Sequence, residues 1–195
     1  ANAASPGTGL WSIVSGPGVI TNVNNASTTI TGVTAGDGSV PTVVRWTIDN
    51  GVCGFTNEDI TLINYTTPTV SNAGVDQSKC TDGDFTLAGN VAVSGVGTWT
   101  IQGAANGASI TGGEENLANA TVTGLTAGTS VTLRWTIVNG VCAASFDEVV
   151  LTNLSAAPIA DAGVDIDQCA TSTFVLTANA ASPGTGLWSI VSGPG

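Results

Sequence analysis

Residues 129–142 read TSVTLRWTIVNGVC, and this stretch decides the fold. Apolar and polar side chains alternate along it, a period of two that is typical of a β-strand with one buried face. The Asn139-Gly140 pair at its end predicts a two-residue hairpin turn, because both positions tolerate positive φ angles. Asn50-Gly51 predicts the same turn earlier in the chain. The stretch is therefore expected to be a central strand that leads into a hairpin.

The same stretch also reveals a repeat. RWTIVNGVC at 134–142 corresponds to RWTIDNGVC at 45–53, an offset of 89 residues. AGVDIDQC at 162–169 likewise follows AGVDQSKC at 73–80 by 89 residues. A unit of this length is too long for one coil of a solenoid and matches one small immunoglobulin-like β-sandwich. The chain is expected to be all-β, with sandwich repeats arranged as beads in a filament.

The repeats divide the chain into three parts. Residues 67–155 form a complete repeat, residues 1–66 a repeat that lacks its first strands, and residues 156–195 the first strands of a third. Two arrangements explain this: a window on a longer array, or a subunit whose tail completes a neighbour by donating strands. Residues 1–18 recur unchanged at 178–195, so a donated tail would supply the Trp-bearing strand twice. The duplication favours the longer array.

Seven strands are predicted in the complete repeat. They cover 77–80, 85–88, 98–102, 108–111, 120–123, 131–138 and 146–152. Alternation places one set of apolar side chains on the inward faces: Phe85, Leu87, Trp99, Ile101, Val122, Val131, Leu133, Trp135, Ile137, Val149 and Leu151. It places Thr100, Thr132, Arg134 and Thr136 outward.

The tryptophans recur at equivalent positions of the repeats. They are expected to lie in the hydrophobic cores, since a large ring on a central strand fills the space between the two sheets of a sandwich. These residues are Trp11, Trp46, Trp99, Trp135 and Trp188.

Composition argues against catalysis and against several classes of partner. The 195 residues include no His, three basic side chains and a formal net charge of -11. A Ser-His-Asp triad and the common zinc sites lack their imidazole, so we expect no enzyme and no cofactor. Arg45, Lys79 and Arg134 cannot neutralise a row of phosphates, which makes nucleic acid a poor partner. No apolar stretch of about 18 residues is present to insert into a membrane.

Acidic residues cluster near the expected joints between repeats and are candidates for a Ca²⁺ site, which requires six to eight oxygen ligands. No DxDxDG loop is present and the set differs between repeats, so solvated surface acids are the favoured interpretation. The candidates are Asp76, Asp82, Asp84, Asp161, Asp165 and Asp167.

Four cysteines, Cys53, Cys80, Cys142 and Cys169, indicate an oxidising setting outside the cytoplasm. Cys80 follows the first strand of its repeat, whereas Cys142 follows the hairpin before the last strand, and these positions lie at opposite ends of a sandwich. Strands of about ten residues separate the ends by about 33 Å, far beyond the reach of a disulfide. Pairing between neighbouring repeats is therefore favoured over a bond from Cys80 to Cys142, while free thiols remain an alternative.

The openings NAGVDQ at 72–77 and DAGVDIDQ at 161–168, with TVTGLTAGTSVTLRWTIVNGVC at 121–142, resemble PKD-like and immunoglobulin-like repeats of Bacteroidetes surface proteins. They are most similar to the repeats of SprB-type gliding-motility adhesins. The resemblance implies an extracellular, cell-surface filament that is exported by the type IX route and contacts the substratum.

The leading hypothesis is a structural repeat segment of an extracellular filament or adhesin shaft, involved in surface adhesion or gliding. Its expected partners are neighbouring repeats of the same chain, laterally associated filaments and a surface or polysaccharide substratum. The alternative is a carbohydrate- or ligand-binding module, which requires an exposed aromatic platform.

Overall fold

The computed structural model describes residues 1–193, which form strands, turns and a single short 3-10 helix at Gly51–Cys53. The all-β prediction is confirmed. No helix within these residues has the length and apolar character needed to cross a bilayer.

The first repeat contains one three-stranded antiparallel sheet and two small ladders. The main sheet has the order β1-β5-β6, β2 pairs with β3, and β4 pairs in parallel with β7. The strands are β1 (Thr8–Ser15), β2 (Val19–Ile20), β3 (Ile30–Thr31), β4 (Ala35–Gly36), β5 (Thr42–Asp49), β6 (Phe55–Leu62) and β7 (Asn64–Tyr65).

The second repeat is a sandwich of two sheets with the orders β10-β13-β14-β8 and β11-β12-β9. The seven predicted strands are confirmed, with ends that shift by up to two residues. They are β8 (Gln77–Cys80), β9 (Phe85–Thr86), β10 (Val96–Gln102), β11 (Ser109–Ile110), β12 (Thr121–Thr123), β13 (Thr129–Val138) and β14 (Ser145–Leu154).

The core of the second repeat lies between these two sheets. Phe85 and Val122 contribute from the smaller sheet, while the alternating residues of β10, β13 and β14 contribute from the larger one. Every predicted inward residue is buried except Ile101, which is half-buried and packs against the core. Trp99 and Trp135, each 1% exposed, lie with their ring centroids 4.9 Å apart. The alternation of the sequence therefore identified the buried face.

Each tryptophan pair needs a glycine beside it. A Cβ atom at Gly97 would clash with the ring of Trp135, and one at Gly9 would clash with the ring of Trp46. Trp11 and Trp46 have ring centroids 5.1 Å apart, although Trp11 is only half-buried. The same glycine-tryptophan contact thus builds the centre of both repeats.

The first repeat has no counterpart of β8, and its edge strand β6 is exposed along nearly its whole length. The Nε1 atom of Trp46 is buried without a hydrogen-bond partner. In the second repeat the equivalent Nε1 of Trp135 donates to the Asn90 carbonyl at 3.1 Å. The first repeat is therefore the less complete of the two.

The third part of the chain repeats local contacts of the second repeat without forming strands. Asn179 Nδ2 donates to the Ile159 carbonyl, as Asn90 Nδ2 does to the Val70 carbonyl. Trp188 is 52% exposed, so its placement in a core is wrong. Residues 156–193 contain no counterpart of the strand that carries Trp46 or Trp135, and the ring consequently has no sheet partner.

The two-residue hairpin prediction is also wrong. β13 ends at Val138 and β14 begins at Ser145, which leaves a six-residue loop. Asn50 has a φ of -116°, whereas the predicted turn needs positive φ at both positions. Both loops contain a bond from the cysteine amide to the asparagine carbonyl, at 3.3 Å from Cys53 to Asn50 and 3.1 Å from Cys142 to Asn139. Since Asn50 is exposed and the loop forms there too, the wider turn does not depend on contacts between repeats.

Candidate inter-repeat joint

The first repeat ends in a fixed backbone arrangement. Asn64 Nδ2 donates to the Val33 carbonyl at 3.0 Å, and the Thr66 amide donates to the Gly36 carbonyl at 2.9 Å. Together with the parallel β4-β7 ladder, these bonds hold the last residues of the repeat against its own loop. The carbonyls of Gly36 and Thr66 are left facing the second repeat.

The side-chain amide of Asn139, in the second repeat, donates to these two carbonyls. Its side chain is 4% exposed, and Nδ2 lies 3.0 Å from the Gly36 oxygen and 2.9 Å from the Thr66 oxygen. The Thr66 and Ser94 hydroxyl oxygens are each 3.1 Å away. An amide NH₂ has two hydrogens, so four acceptors share two donors. One asparagine therefore ties three segments from two repeats together.

Tyr65 supplies the apolar part of the same joint. A Cβ atom at Gly140 would overlap the Tyr65 ring, and Gly38 contacts that ring from the first repeat. Gly140 also has a positive φ of 54°, a conformation that favours glycine. The tyrosine ring consequently lies directly on the backbone of the second repeat.

The linker that follows is bound along the second repeat. Ser71 exchanges two hydrogen bonds with Ser145, of 2.8 and 2.9 Å, and the Thr69 amide donates to the Ser94 carbonyl at 3.0 Å. The Ala73 amide donates to Asp147 Oδ2 at 2.8 Å. A segment held at both ends and along its length cannot act as a free hinge.

The far end of the second repeat shares part of this arrangement. Asn153 Nδ2 donates to the Leu125 carbonyl at 2.6 Å, and the Gly128 amide donates to the Asn153 carbonyl at 2.6 Å. Asn153 corresponds to Asn64, and Ser155 corresponds to Thr66, by the offset of 89 residues. The end of the second repeat thus shares the asparagine bond of the first repeat, but it carries Leu154 where the first repeat carries Tyr65.

The cysteines lie at the two ends of the second repeat. Cys80 pairs with Leu154 in the parallel β8-β14 ladder, whereas Cys142 lies in the loop before β14, beside Tyr65 and Thr66. The ten residues of β14 separate these positions by about 30 Å. Within residues 1–193 none of the four cysteines is bonded to another.

The candidate calcium ligands do not lie close enough together to form a binding site within residues 1–193. Asp76 Oδ1 accepts a hydrogen bond from the Val150 amide, Asp84 Oδ1 from the Gly124 amide, and Asp161 Oδ1 from the Gly163 amide. Across residues 1–193 no group of three or more His, Cys, Asp or Glu side chains is arranged to hold a metal ion. Asp82 lies 3.7 Å from Lys79 Nζ, and Asp165 and Asp167 belong to the exposed third part of the chain. Where they are bonded, these acids stabilise turns and strand edges of their own repeat.

Each repeat carries one arginine-carboxylate pair on its outer face. Arg45 donates to both oxygens of Asp59 at 2.7 and 2.9 Å, and Arg134 donates twice to Glu148 Oε1. The hydrogen bond from Arg45 lowers the pKa of Asp59, and the same contact raises the pKa of Arg45. The outward prediction for Arg134 is consistent with this pairing.

The buried tryptophans bear on the alternative hypothesis of ligand binding. Trp46, Trp99 and Trp135 are at most 6% exposed, so their faces cannot stack on a sugar. The aromatic platform that this hypothesis requires is not formed by these three rings.

Sequence reasoning missed the residues of the joint. The Asn-Gly pattern predicts only a local turn at 139–140, and no pattern in the sequence points to Tyr65, Gly36 or Ser94. The recurrence of Asn-Gly is no signal for the joint, because Asn50 at the same position of the first repeat is exposed.

No protein-family model matches the sequence, and no curated protein matches it. Among solved structures, the chain is similar to a protocadherin gammaB7 EC3-6 cis-dimer, with 13% identity and a TM-score of 0.32 over 76% of this chain and 42% of that one. It is also similar to zebrafish RET cadherin-like domains 1 to 4, with 11% identity and a TM-score of 0.23 over 77% and 42%. The chain thus matches less than half the length of either structure. The immunoglobulin-like sandwich is assigned from the strands and core described above.

Proposed function

We propose that this chain is a non-catalytic segment of the shaft of a long extracellular filament or adhesin. Its parts are beads that follow residues 1–66, 67–155 and 156–195, and each bead docks end to end on the next. The observation that carries the proposal is the amide of Asn139, buried against the carbonyls of Gly36 and Thr66 of the preceding repeat.

A shaft must resist bending at its joints, and the contacts at this joint are suited to that task. Polar groups are buried and paired, the Tyr65 ring lies on Gly140, and the linker is bonded along the second repeat. Domains joined by flexible linkers move independently by default, unless a specific interface holds them. Here the hydrogen bonds of one side chain supply that interface.

The finer part of the proposal is a bacterial cell-surface location and a role in adhesion or gliding on a substratum. It is supported by the resemblance of the AGVD and RWTI-NGVC motifs to Bacteroidetes surface repeats. Type IX export and lateral association of filaments are proposed on the same ground.

The test compares the motion of the two repeats in solution by ¹⁵N relaxation. The parent chain is expected to show one rotational correlation time for the strands of both repeats. Asn139→Ala should separate them into two faster-tumbling bodies while both sheets remain folded. Asn50→Ala is the matched control, because Asn50 occupies the same position in the first repeat and faces no preceding repeat here.

Independent tumbling in the parent chain would contradict the proposal. At the scale of a filament, negative-stain electron microscopy of a longer array is expected to show rods with an axial period of one or two repeats. Collapsed particles without such a period would also count against a shaft.

A further inference from the structure

We propose that a disulfide crosses each joint, from Cys80 of one repeat to the cysteine of the following repeat that corresponds to Cys142. The inference rests on the proposed function, since it requires consecutive repeats docked in the same way. It adds a covalent modification site to the joint.

Cys142 lies at the joint with the preceding repeat. Its Sγ atom lies 3.7 Å from the Tyr65 carbonyl oxygen and 3.4 Å from the Thr66 carbonyl oxygen of the preceding repeat. The offset of 89 residues relates Tyr65 to Leu154 and Thr66 to Ser155. In the next joint, the equivalent cysteine therefore contacts the carbonyls of Leu154 and Ser155.

Cys80 lies at the other end of the second repeat. It pairs with Leu154 in the β8-β14 ladder, and its Sγ atom lies 3.9 Å from the Ser155 carbonyl oxygen. Both sulfur atoms thus contact the same carbonyl oxygen from the two sides of one joint. In a joint that repeats this geometry the two sulfur atoms are at most about 7.3 Å apart, a gap that rotation of both side chains has to close to form the bond of about 2 Å.

No pairing within one repeat competes with this geometry. A disulfide requires Cα atoms within about 7 Å, whereas Cys80 and Cys142 are separated by the length of β14, about 30 Å. Cys53 corresponds to Cys142, and Cys169 corresponds to Cys80, so each belongs to a different joint. The exposed position of Cys80 leaves it open to an oxidant.

Formation of the bond is an ordinary two-electron oxidation. The two thiols lose two protons and two electrons, one S–S bond forms, and the electrons pass to a disulfide oxidant by thiol-disulfide exchange. The oxidant leaves as two thiols. An extracytoplasmic disulfide donor supplies this in the cell, and oxidised glutathione supplies it in the test.

The test uses the full chain continued after its last residue by a second copy of residues 19–66. Residues 178–195 repeat residues 1–18, so this continuation completes the third repeat with sequence that the chain already contains. It adds a single cysteine, the copy of Cys53, at the position that corresponds to Cys142. The lengthened chain then holds five cysteines and one complete pair.

After oxidation at low protein concentration, non-reducing peptide mapping is expected to find one protein disulfide, from Cys80 to the copy of Cys53. Cys53, Cys142 and Cys169 should remain as thiols or glutathione adducts. Cys80→Ser should reduce the yield of the bond from near stoichiometric to background. Cys169→Ser, the matched control, should leave the yield unchanged.

A bond from Cys80 to Cys142, or no protein disulfide after oxidation, would overturn the inference. Relaxation measurements on the same lengthened chain separate this result from a failure of the proposed function. If the repeats tumble as one body and no bond forms, the proposed rigid joint is supported and the proposed disulfide is rejected.

Discussion

Trp135 shows at the scale of one residue how the sequence determines the core. Its ring packs against Trp99 on the neighbouring strand and fills the space that a side chain at Gly97 would occupy. Its Nε1 atom donates a hydrogen bond to the Asn90 carbonyl. Three different interactions thus fix a single ring. A smaller side chain at this position leaves a cavity that rigid strands cannot close.

Trp135→Ala is expected to destabilise the second repeat by about 3–5 kcal/mol, the usual cost of truncating a buried aromatic side chain. Urea unfolding followed by far-ultraviolet circular dichroism measures the change. Trp188→Ala is the matched control, and it should leave the midpoint unchanged because its ring is 52% exposed. Equal midpoints for the parent chain and Trp135→Ala would contradict the core assignment.

At the scale of elements, the strands could be predicted and one turn could not. The period-two pattern of residues 129–142 depends only on which face is buried, and every strand of the second repeat was found within two residues of its expected position. The Asn-Gly turn prediction failed in both repeats, because the loop closes with a bond from the cysteine amide to the asparagine carbonyl. The role of the Asn139 side chain was also unpredictable, since it bonds to Gly36, 103 positions earlier in the sequence. Contacts at that distance leave no local signal.

The strand arrangement predicts an order of tryptic cleavage. Arg134 lies in β13, which is hydrogen-bonded on both sides, whereas Lys79 lies in the four-residue edge strand β8 next to a turn. Cleavage of a paired strand requires local opening, so the native chain should be cut after Lys79 well before Arg134. Timed digestion with mass spectrometry measures the order.

Lys79→Gln is expected to abolish the early product and leave later products unchanged. Early cleavage after Arg134 in the native chain would show that β13 is not a central strand.

At the scale of the whole molecule, the two repeats differ in completeness and should differ in stability. The main sheet of the first repeat has three strands instead of four, its edge β6 is exposed, and Trp46 Nε1 lacks a partner. Amide hydrogens of β5 are therefore expected to exchange faster than those of β13 under native conditions.

Hydrogen exchange with mass spectrometry tests this with an internal control. The peptides RWTIDNGVC and RWTIVNGVC differ at one position, so their intrinsic exchange rates nearly agree. A difference in protection then reports the folded environment. Equal protection would show that the missing strands do not weaken the first repeat.

The joint was the least predictable part of the molecule. Its acceptors are backbone carbonyls, which every residue has. Its donor is Asn139, and the Asn139-Gly140 pair by itself indicates only a turn. Cys80 and Cys142 were an exception, because strand order alone predicted their placement at opposite ends of the repeat. Positions that depend on topology could be predicted from the sequence, whereas positions that depend on packing between repeats could not.

The docking of Asn139 and Tyr65 has a geometric consequence for an array. If one joint sets a fixed rotation and rise, successive joints generate a screw axis, and a small change of angle at one contact accumulates with every repeat. The position of the Tyr65 ring is occupied by Leu154 at the end of the second repeat, and residues 1–18 recur unchanged only after 177 positions. Two joints with different side chains need not turn by the same angle, so the unit that repeats along such an array would be a pair of repeats and not a single one.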